Sequence, residues 1–536
     1  TRCRLERARV ALGDLDGMED RVRELWLSPV SQPDRCDPLF RWWQARGHPD
    51  ADTAWRRFGL AVEAGERALA RYLRRYLPEP ERFLADGWLR ISTNPRSGLN
   101  QARRWPDQQR ARTIVAWGLH RLAARDWQHA DALQASLAAR FNFSEDEIGP
   151  ALRRIALFRA VDLDPGAIAA IDSLAPQWVD QQLLEWRARV AMATNQWREV
   201  LESIQRMPPD QRSGRWRYWQ ARALLKLGDP RGEARMAQLA GSQDYYGFLA
   251  SLRLNRPLRL CGTELKPDGA LMRALATDPE TVRALELHRT GLDGHARRTW
   301  SRLMQRLNRD QRIQAALLAA SIGWHDTVIH TLNLAGATTA YPWRFPLVER
   351  ERVGTESSRH GIDPALVMGL MRAESAMQVN ARSPAGARGL LQLMPGTARE
   401  VANRHGIGYR GAADLYRAAP NIALGTAHLG ELNRRFGGEW ALVAAAYNAG
   451  IRHAERWRDE RPGLDRDVWI ETLSFHETRD YIPRVLAFAT IYEWQLGRAP
   501  TTMATHLLDP APDTTAFTCP DTPRTTTGAI QAASQP

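Results

Sequence analysis

The stretch from Asp363 to Pro395, DPALVMGLMRAESAMQVNARSPAGARGLLQLMP, holds the residues whose types and spacing best suit chemistry. Asp363 is a good N-cap and Pro364 fits the first helical position, so a helix starts here. On that helix Val367, Leu370, Met371 and Glu374 share a face, which carries three apolar residues and then a carboxylate. A carboxylate on an apolar face is costly to ionise, so its pKa rises, as a general acid working near neutral pH requires. The ordinary alternative is a glutamate that ends a helix and simply reaches water. Glycines and prolines crowd the sequence after Glu374, which predicts a folded-back loop. Such a loop would bring Ser383 and Gln392 round to the carboxylate as hydrogen-bonding groups.

Two later segments add polar residues at element ends. Glu439 to Gly450 reads EWALVAAAYNAG, a tightly packing apolar run that delivers Tyr447 and Asn448 just before a glycine stop. Taken locally, Tyr447 also suits a core position with its hydroxyl bonded nearby. Phe475 to Tyr481 reads FHETRDY, and Glu477 fits a first-turn carboxylate favoured by the helix dipole. Gly406, Gly408 and Gly411 spell GxGxxG, but the run follows a helix and leads into a Pro-containing loop, so it is read as a loop only. With no CxxC, HExxH or clustered His and Cys, no structural or catalytic metal is expected.

Glu374-Ser375, Gly389-Leu390-Leu391-Gln392, Ala446-Tyr447-Asn448-Ala449-Gly450 and Glu477-Thr478-Arg479-Asp480-Tyr481 together resemble the catalytic motifs of the soluble lytic transglycosylases. The chain departs from the pattern at Arg388 and Leu391, and at Leu473-Ser474-Phe475, where the family commonly carries Ile-Pro-Phe. Losing that proline would loosen the entry into the following helix. The resemblance implies a lysozyme-like, mainly α catalytic domain that cleaves the β-1,4 bond between N-acetylmuramic acid and N-acetylglucosamine, forming 1,6-anhydro ends. Glu374 would be acid and then base, Ser383, Gln392 and Met394 would line sugar subsites, and Tyr447 would lie near the reacting bond. Asn448 would support it, and Glu477 and Tyr481 would help form the substrate site. Also implied are a monomer without cofactor in the periplasm, peptidoglycan glycan strands as substrate, and cell-wall synthesis or penicillin-binding complexes as partners. Nucleic acid is not expected. Two other readings stay open: a goose-type lysozyme-like hydrolase of the same bond, and a non-catalytic helical-repeat protein that binds an anionic polymer or a partner protein.

The elements that would position these residues make up most of the 536-residue chain. That length predicts roughly two to four compact units. The 20 Trp suit packing between helices, and a formal charge of +13 suits polyanions without naming one. No stretch is long and apolar enough to span a bilayer. Residues 1–256 read as helix after helix, with Trp186-Arg-Ala-Arg and Trp219-Gln-Ala-Arg recurring at a helix-pair spacing, which predicts a superhelical solenoid. This half also resembles the family's superhelical, ring-forming domain, through Glu24-Leu25-Trp26-Leu27, Trp216 to Ala221 and Asp244 to Phe248. The chain starts at Thr1 in mid-helix pattern, without Met or signal peptide, so processing or truncation and a ring lacking its first helices are expected. Residues 257–336, with Trp300, Leu303, Leu307, Ala315, Ala319 and Trp324 as expected core, read as a small helical linker domain, and 337–500 as the catalytic domain. From Thr501 to Pro536, rich in Thr, Pro and Ala, disorder is expected. Cys3 and Cys36 are close enough to bridge two neighbouring helices, which would imply an oxidising compartment, with two ordinary buried thiols as the alternative, whereas Cys261 and Cys519 show no obvious mates.

Overall fold

A computed structural model describes residues 2–512 and 516–519. The fold is all-α apart from short pieces of strand, and the chain forms two compact units, Thr1–Val190 and Ala191–Pro536.

In much of the first unit, helices pack on their neighbour in sequence and on the next but one. Helix Arg82–Thr93 meets both Pro95–Ala102 and Gln109–Ala123, which in turn meets Trp127–Ala138 and Glu145–Val161. Stacked helix pairs of this kind bury apolar faces that no single pair could cover. Trp26, Trp43, Phe58 and Trp88 sit in the resulting core. Local signals set the boundaries: Ser144 accepts the Glu147 N–H while the Glu147 carboxylate accepts the Ser144 N–H, a complete capping box at the start of Glu145–Val161. Cys3 and Cys36 are bonded, as the sequence predicts.

The second unit continues the helix pairs through Gly214–Lys226, Arg231–Leu239 and Tyr245–Arg253. Trp300, Leu303, Ala315, Ala319 and Trp324 then form a separate small core, with Leu307 only partly buried against it. The candidate acid, Glu374, is faced by groups from helices His476–Gln495 and Trp440–Ala449. Gly406 ends helix Pro395–His405 with a φ of 64°, and the stretch that spells GxGxxG is a loop. Helix Ala418–Arg435 stops just before Gly437 and Gly438. Ser474, where the family pattern carries a proline, accepts the Trp457 indole N–H at 3.0 Å, so a side-chain hydrogen bond fixes the entry to the next helix.

Two expectations are corrected here. The tail is not disordered from Thr501: Thr501–Leu507 is a helix with Met503 and Leu507 buried. The buried Glu493 carboxylate accepts the Thr501 and Thr502 N–H groups at 3.1 and 2.9 Å, satisfying helix N-terminal donors that composition does not reveal. Phe517–Thr518 pairs in parallel with Leu258–Arg259, and residues 520–536 lie outside the described residues. Cys261 and Cys519, expected to lack mates, are bonded to each other beside that pairing.

Candidate active site

Helix Pro364–Ser375 starts as the sequence predicts, with Asp363 accepting the Ala365 N–H at 2.8 Å. It lies against the long helix His476–Gln495, and Gly369 is what permits the contact. A Cβ there would sit 2.9 Å from the Ala489 nitrogen and 3.0 Å from the Val485 oxygen. After Ser375 the chain turns sharply away, Ala376 and Met377 taking φ of 49° and 68°. Glu374 therefore stands in the last helical turn, where the carbonyl end of the dipole opposes a negative charge.

Burial pushes the Glu374 carboxyl up to about 7. A hydrogen bond from Tyr481 opposes that rise, the nearby Glu477 charge adds to it, and Arg484 lowers it. The Tyr481 O–H donates to Glu374 Oε1 at 2.6 Å, and burial holds the phenol well above its ordinary pKa, so it remains a donor. A glutamate poised this way carries a transferable proton near neutral pH.

The loop after Glu374 folds back as expected. Arg388 and Leu393 exchange backbone hydrogen bonds at 3.0 Å in each direction. Gly389, at φ 78°, comes so near the Leu415 carbonyl that no side chain would fit. Fully buried Asn421 accepts the Leu391 N–H at 2.8 Å and donates to the Arg388 and Leu415 oxygens, both at 3.0 Å. Ser383 and Gln392 line the same cavity as Glu374, of about 470 Å³. Ser383 Oγ accepts the Ala387 N–H at 3.0 Å, and the Gln392 amide donates to the Gly389 oxygen at 2.8 Å, so both also brace the loop.

The remaining predicted residues divide. Tyr447 donates its O–H to the Leu391 oxygen at 2.6 Å, the local bond that its position allowed, while the Glu374 charge joins burial in holding its phenol well above the ordinary range. Asn448 donates to Glu477 at 3.3 Å and accepts from Thr478 at 2.6 Å, which ties the two helix ends together. Met394 caps helix Pro395–His405, is 43% exposed, and does not line the cavity.

Sequence reasoning missed Asn421, Arg484 and Phe488. The last two line the cavity of Glu374 and also an adjoining one of about 630 Å³ that includes Tyr245, Tyr341 and Arg344. A signal existed: Glu477, Tyr481, Arg484 and Phe488 recur at one helical face. Arg372 lies between the Phe345 and Phe488 rings and donates to the Arg344 oxygen at 2.8 Å.

Comparison with known proteins places this geometry among relatives. A family model described as the transglycosylase SLT domain matches residues 352–470, and one described as the soluble lytic murein transglycosylase L domain matches 274–337. The chain is 30% identical over 498 residues to the soluble lytic murein transglycosylase of Escherichia coli K12, covering 90% of this chain and 75% of that protein. It is 28% identical over 517 residues to the Salmonella typhimurium protein of the same name, covering 94% and 78%. Among solved structures, an inactive mutant of the lytic transglycosylase Slt of Pseudomonas aeruginosa aligns with a TM-score of 0.82 at 32% identity, covering 92% of this chain and 81% of that one. The 70-kDa soluble lytic transglycosylase of Escherichia coli aligns with a TM-score of 0.77 at 29% identity, covering 94% and 82%, and has also been solved with bulgecin A.

Proposed function

The chain belongs to the soluble lytic murein transglycosylases, and from that premise we propose how its own residues perform the reaction. The enzyme is a lyase that cleaves the β-1,4 bond between N-acetylmuramic acid and N-acetylglucosamine in peptidoglycan and leaves 1,6-anhydromuropeptides. Protonated Glu374 gives its proton to the bridging oxygen as the muramoyl C1–O bond breaks, and the departing N-acetylglucosamine leaves with a free 4-hydroxyl. The substrate's acetamido oxygen stabilises C1. Glu374, now ionised, takes the proton from the muramoyl C6 hydroxyl as O6 closes on C1, which restores the acid and consumes no water.

The observation that carries this reading is the half-buried Glu374, held near a pKa of 7 and bonded to Tyr481, at the wall of an open cavity. The neighbouring carboxylate, Glu477, is engaged by Asn448 and serves the site without being a nucleophile. Ser383, Gln392, Arg484 and Phe488 shape the sugar-binding wall. Tyr447 and Asn448 fix the loop and the helix ends behind it, and Met394 stands outside the cavity as the N-cap of helix Pro395–His405. Residues 1–256, 257–336 and 337–500 act as repeat, linker and catalytic domains of a periplasmic enzyme. Among the described residues no helix is long and apolar enough to cross a membrane.

The test is a digest of purified sacculi with the wild-type protein and with Glu374→Gln, reading released muropeptides by mass spectrometry. Borohydride-resistant 1,6-anhydro ends, absent with the variant, are expected. Reducing ends carrying an added water would instead mean a hydrolase.

A further inference from the structure

One helix far upstream in sequence presents a row of side chains to the segment that holds the acid's hydrogen-bond donor. On Gly214–Lys226, Arg215, Tyr218, Trp219 and Arg222 fall at the spacing of a single helical face, and each ends on a carboxylate between Asp465 and Asp480. Tyr218 donates to Asp467 at 2.7 Å, and Arg222 pairs with both Asp465 and Asp467. The Trp219 indole N–H donates to Glu471 at 3.0 Å. Arg215 pairs with Asp480, lies 3.5 Å from Glu471, and donates to the Tyr246 hydroxyl oxygen at 2.8 Å. Asp467 and Glu471 are both almost fully buried.

We propose that helix Gly214–Lys226 is a positioning element for catalysis, with Arg215 and Trp219 setting the place of Tyr481 against Glu374. The proposal rests on Glu374 being the acid. Glu471 closes helix Arg466–Glu471, and Asp480 lies in the opening of helix His476–Gln495. The two side chains therefore fasten both ends of a short segment, and the groups between and just after those ends are Glu477 and Thr478, which hold Asn448, and Tyr481, which holds Glu374. Glu471 is buried, so shifting Arg215 or Trp219 leaves its carboxylate desolvated with fewer partners, while Asp480 is a partly exposed second anchor for Arg215. A hydrogen bond of 2.6 Å tolerates little displacement of its donor, and a misplacement of ~1 Å is enough to cost orders of magnitude in rate.

Arg215 acts through Asp480 and Glu471, not on the acid itself. The titratable and charged groups that face Glu374 are Tyr481, Glu477 and Arg484 on the long helix and Tyr447 on Trp440–Ala449. Of these, Tyr481 is the one that lowers the acid's pKa by a hydrogen bond. Loosening it raises that pKa, so the alkaline limb of the rate profile moves to higher pH while the rate below the limb falls.

The experiment compares Arg215→Met, Trp219→Phe, Arg215→Lys, Tyr481→Phe and the double variant Arg215→Met with Tyr481→Phe, measuring kcat and KM on soluble glycan strands across pH. Thermal melting checks that each variant is folded, and Trp219→Phe keeps an aromatic ring in place while removing the indole donor and part of its packing. Expected are a roughly tenfold lower kcat with KM little changed and an upward shift of the alkaline limb in Arg215→Met. A partial return is expected in Arg215→Lys, together with no further limb shift when Tyr481→Phe is added. An unchanged limb in Arg215→Met and Trp219→Phe, or a full additional shift in the double variant, overturns the proposal. Activity in Glu374→Gln would overturn the assignment of the acid instead, so the two failures are distinguishable.

Discussion

Near one end of the long helix His476–Gln495, Tyr481 gives Glu374 a short hydrogen bond; near the other end, Glu493 collects four. Its Oε1 accepts both the N–H and the hydroxyl of Thr501 and of Thr502, at 2.8 to 3.1 Å. Burial raises the pKa of both carboxyls. The difference lies in what else reaches them. Glu493 is fully buried and its donors are the first groups of the next helix, so it works as a structural post. Glu374 borders an open cavity, so a substrate oxygen can approach the proton. Burial alone raises a pKa; catalysis further requires an accessible side.

The largest expected separation is in turnover. Glu374→Gln should lower it by about a thousandfold, measured as muropeptide release, whereas Glu493→Gln should stay within a few-fold of wild type. A large loss in the second variant would break the contrast. Glu493→Ala should instead cost about 2–3 kcal/mol in stability by stranding buried donors of helix Thr501–Leu507, seen as a lower denaturation midpoint with activity retained at low temperature.

The pH dependence of stability sharpens the comparison further. Glu374 is raised from 4.5 to about 7 in the folded protein, so its protonated form favours folding fully below about 4.5, and that support is lost as pH rises towards 7. Glu374→Gln should therefore gain about 1–3 kcal/mol over wild type at pH 8 and much less at pH 5, by urea unfolding at the two pH values. A smaller loss of turnover than that of Glu374→Gln is expected from Tyr481→Phe. It should reduce kcat roughly tenfold and move the alkaline limb upward, because it removes a bond that stabilises the ionised acid. A downward movement would mean that the tyrosine serves the site in another way.

Local chemistry made much of this legible. Asp363 and Pro364 mark the start of the acid's helix, Gly406 and Gly437 mark later stops, and the apolar face before Glu374 announces a raised carboxyl. The motifs single out Tyr481, and its hydroxyl does reach the acid. What stayed hidden depends on partners remote in sequence. Trp219 read as a packing residue because its acceptor, Glu471, lies 252 residues away. The segment after Thr501 read as disordered because its N-terminal donors are satisfied by a carboxylate on the preceding helix. Gln392 and Met394 lie two residues apart, yet only Gln392, at the left-handed φ of 45°, lines the cavity, and spacing alone does not encode that difference.

The bond between Cys261 and Cys519 joins positions 258 residues apart, and Glu374, Tyr481, Asp480 and Glu471 all lie between them. That makes this part of the chain a closed covalent circuit. A protease that cuts one exposed turn inside it opens the circuit without dividing the molecule, so the nicked enzyme keeps its full mass until a reductant reaches the bridge. Both sides of the cut then remain tethered close enough to stay docked, and a single cleavage event need not end the enzyme's working life.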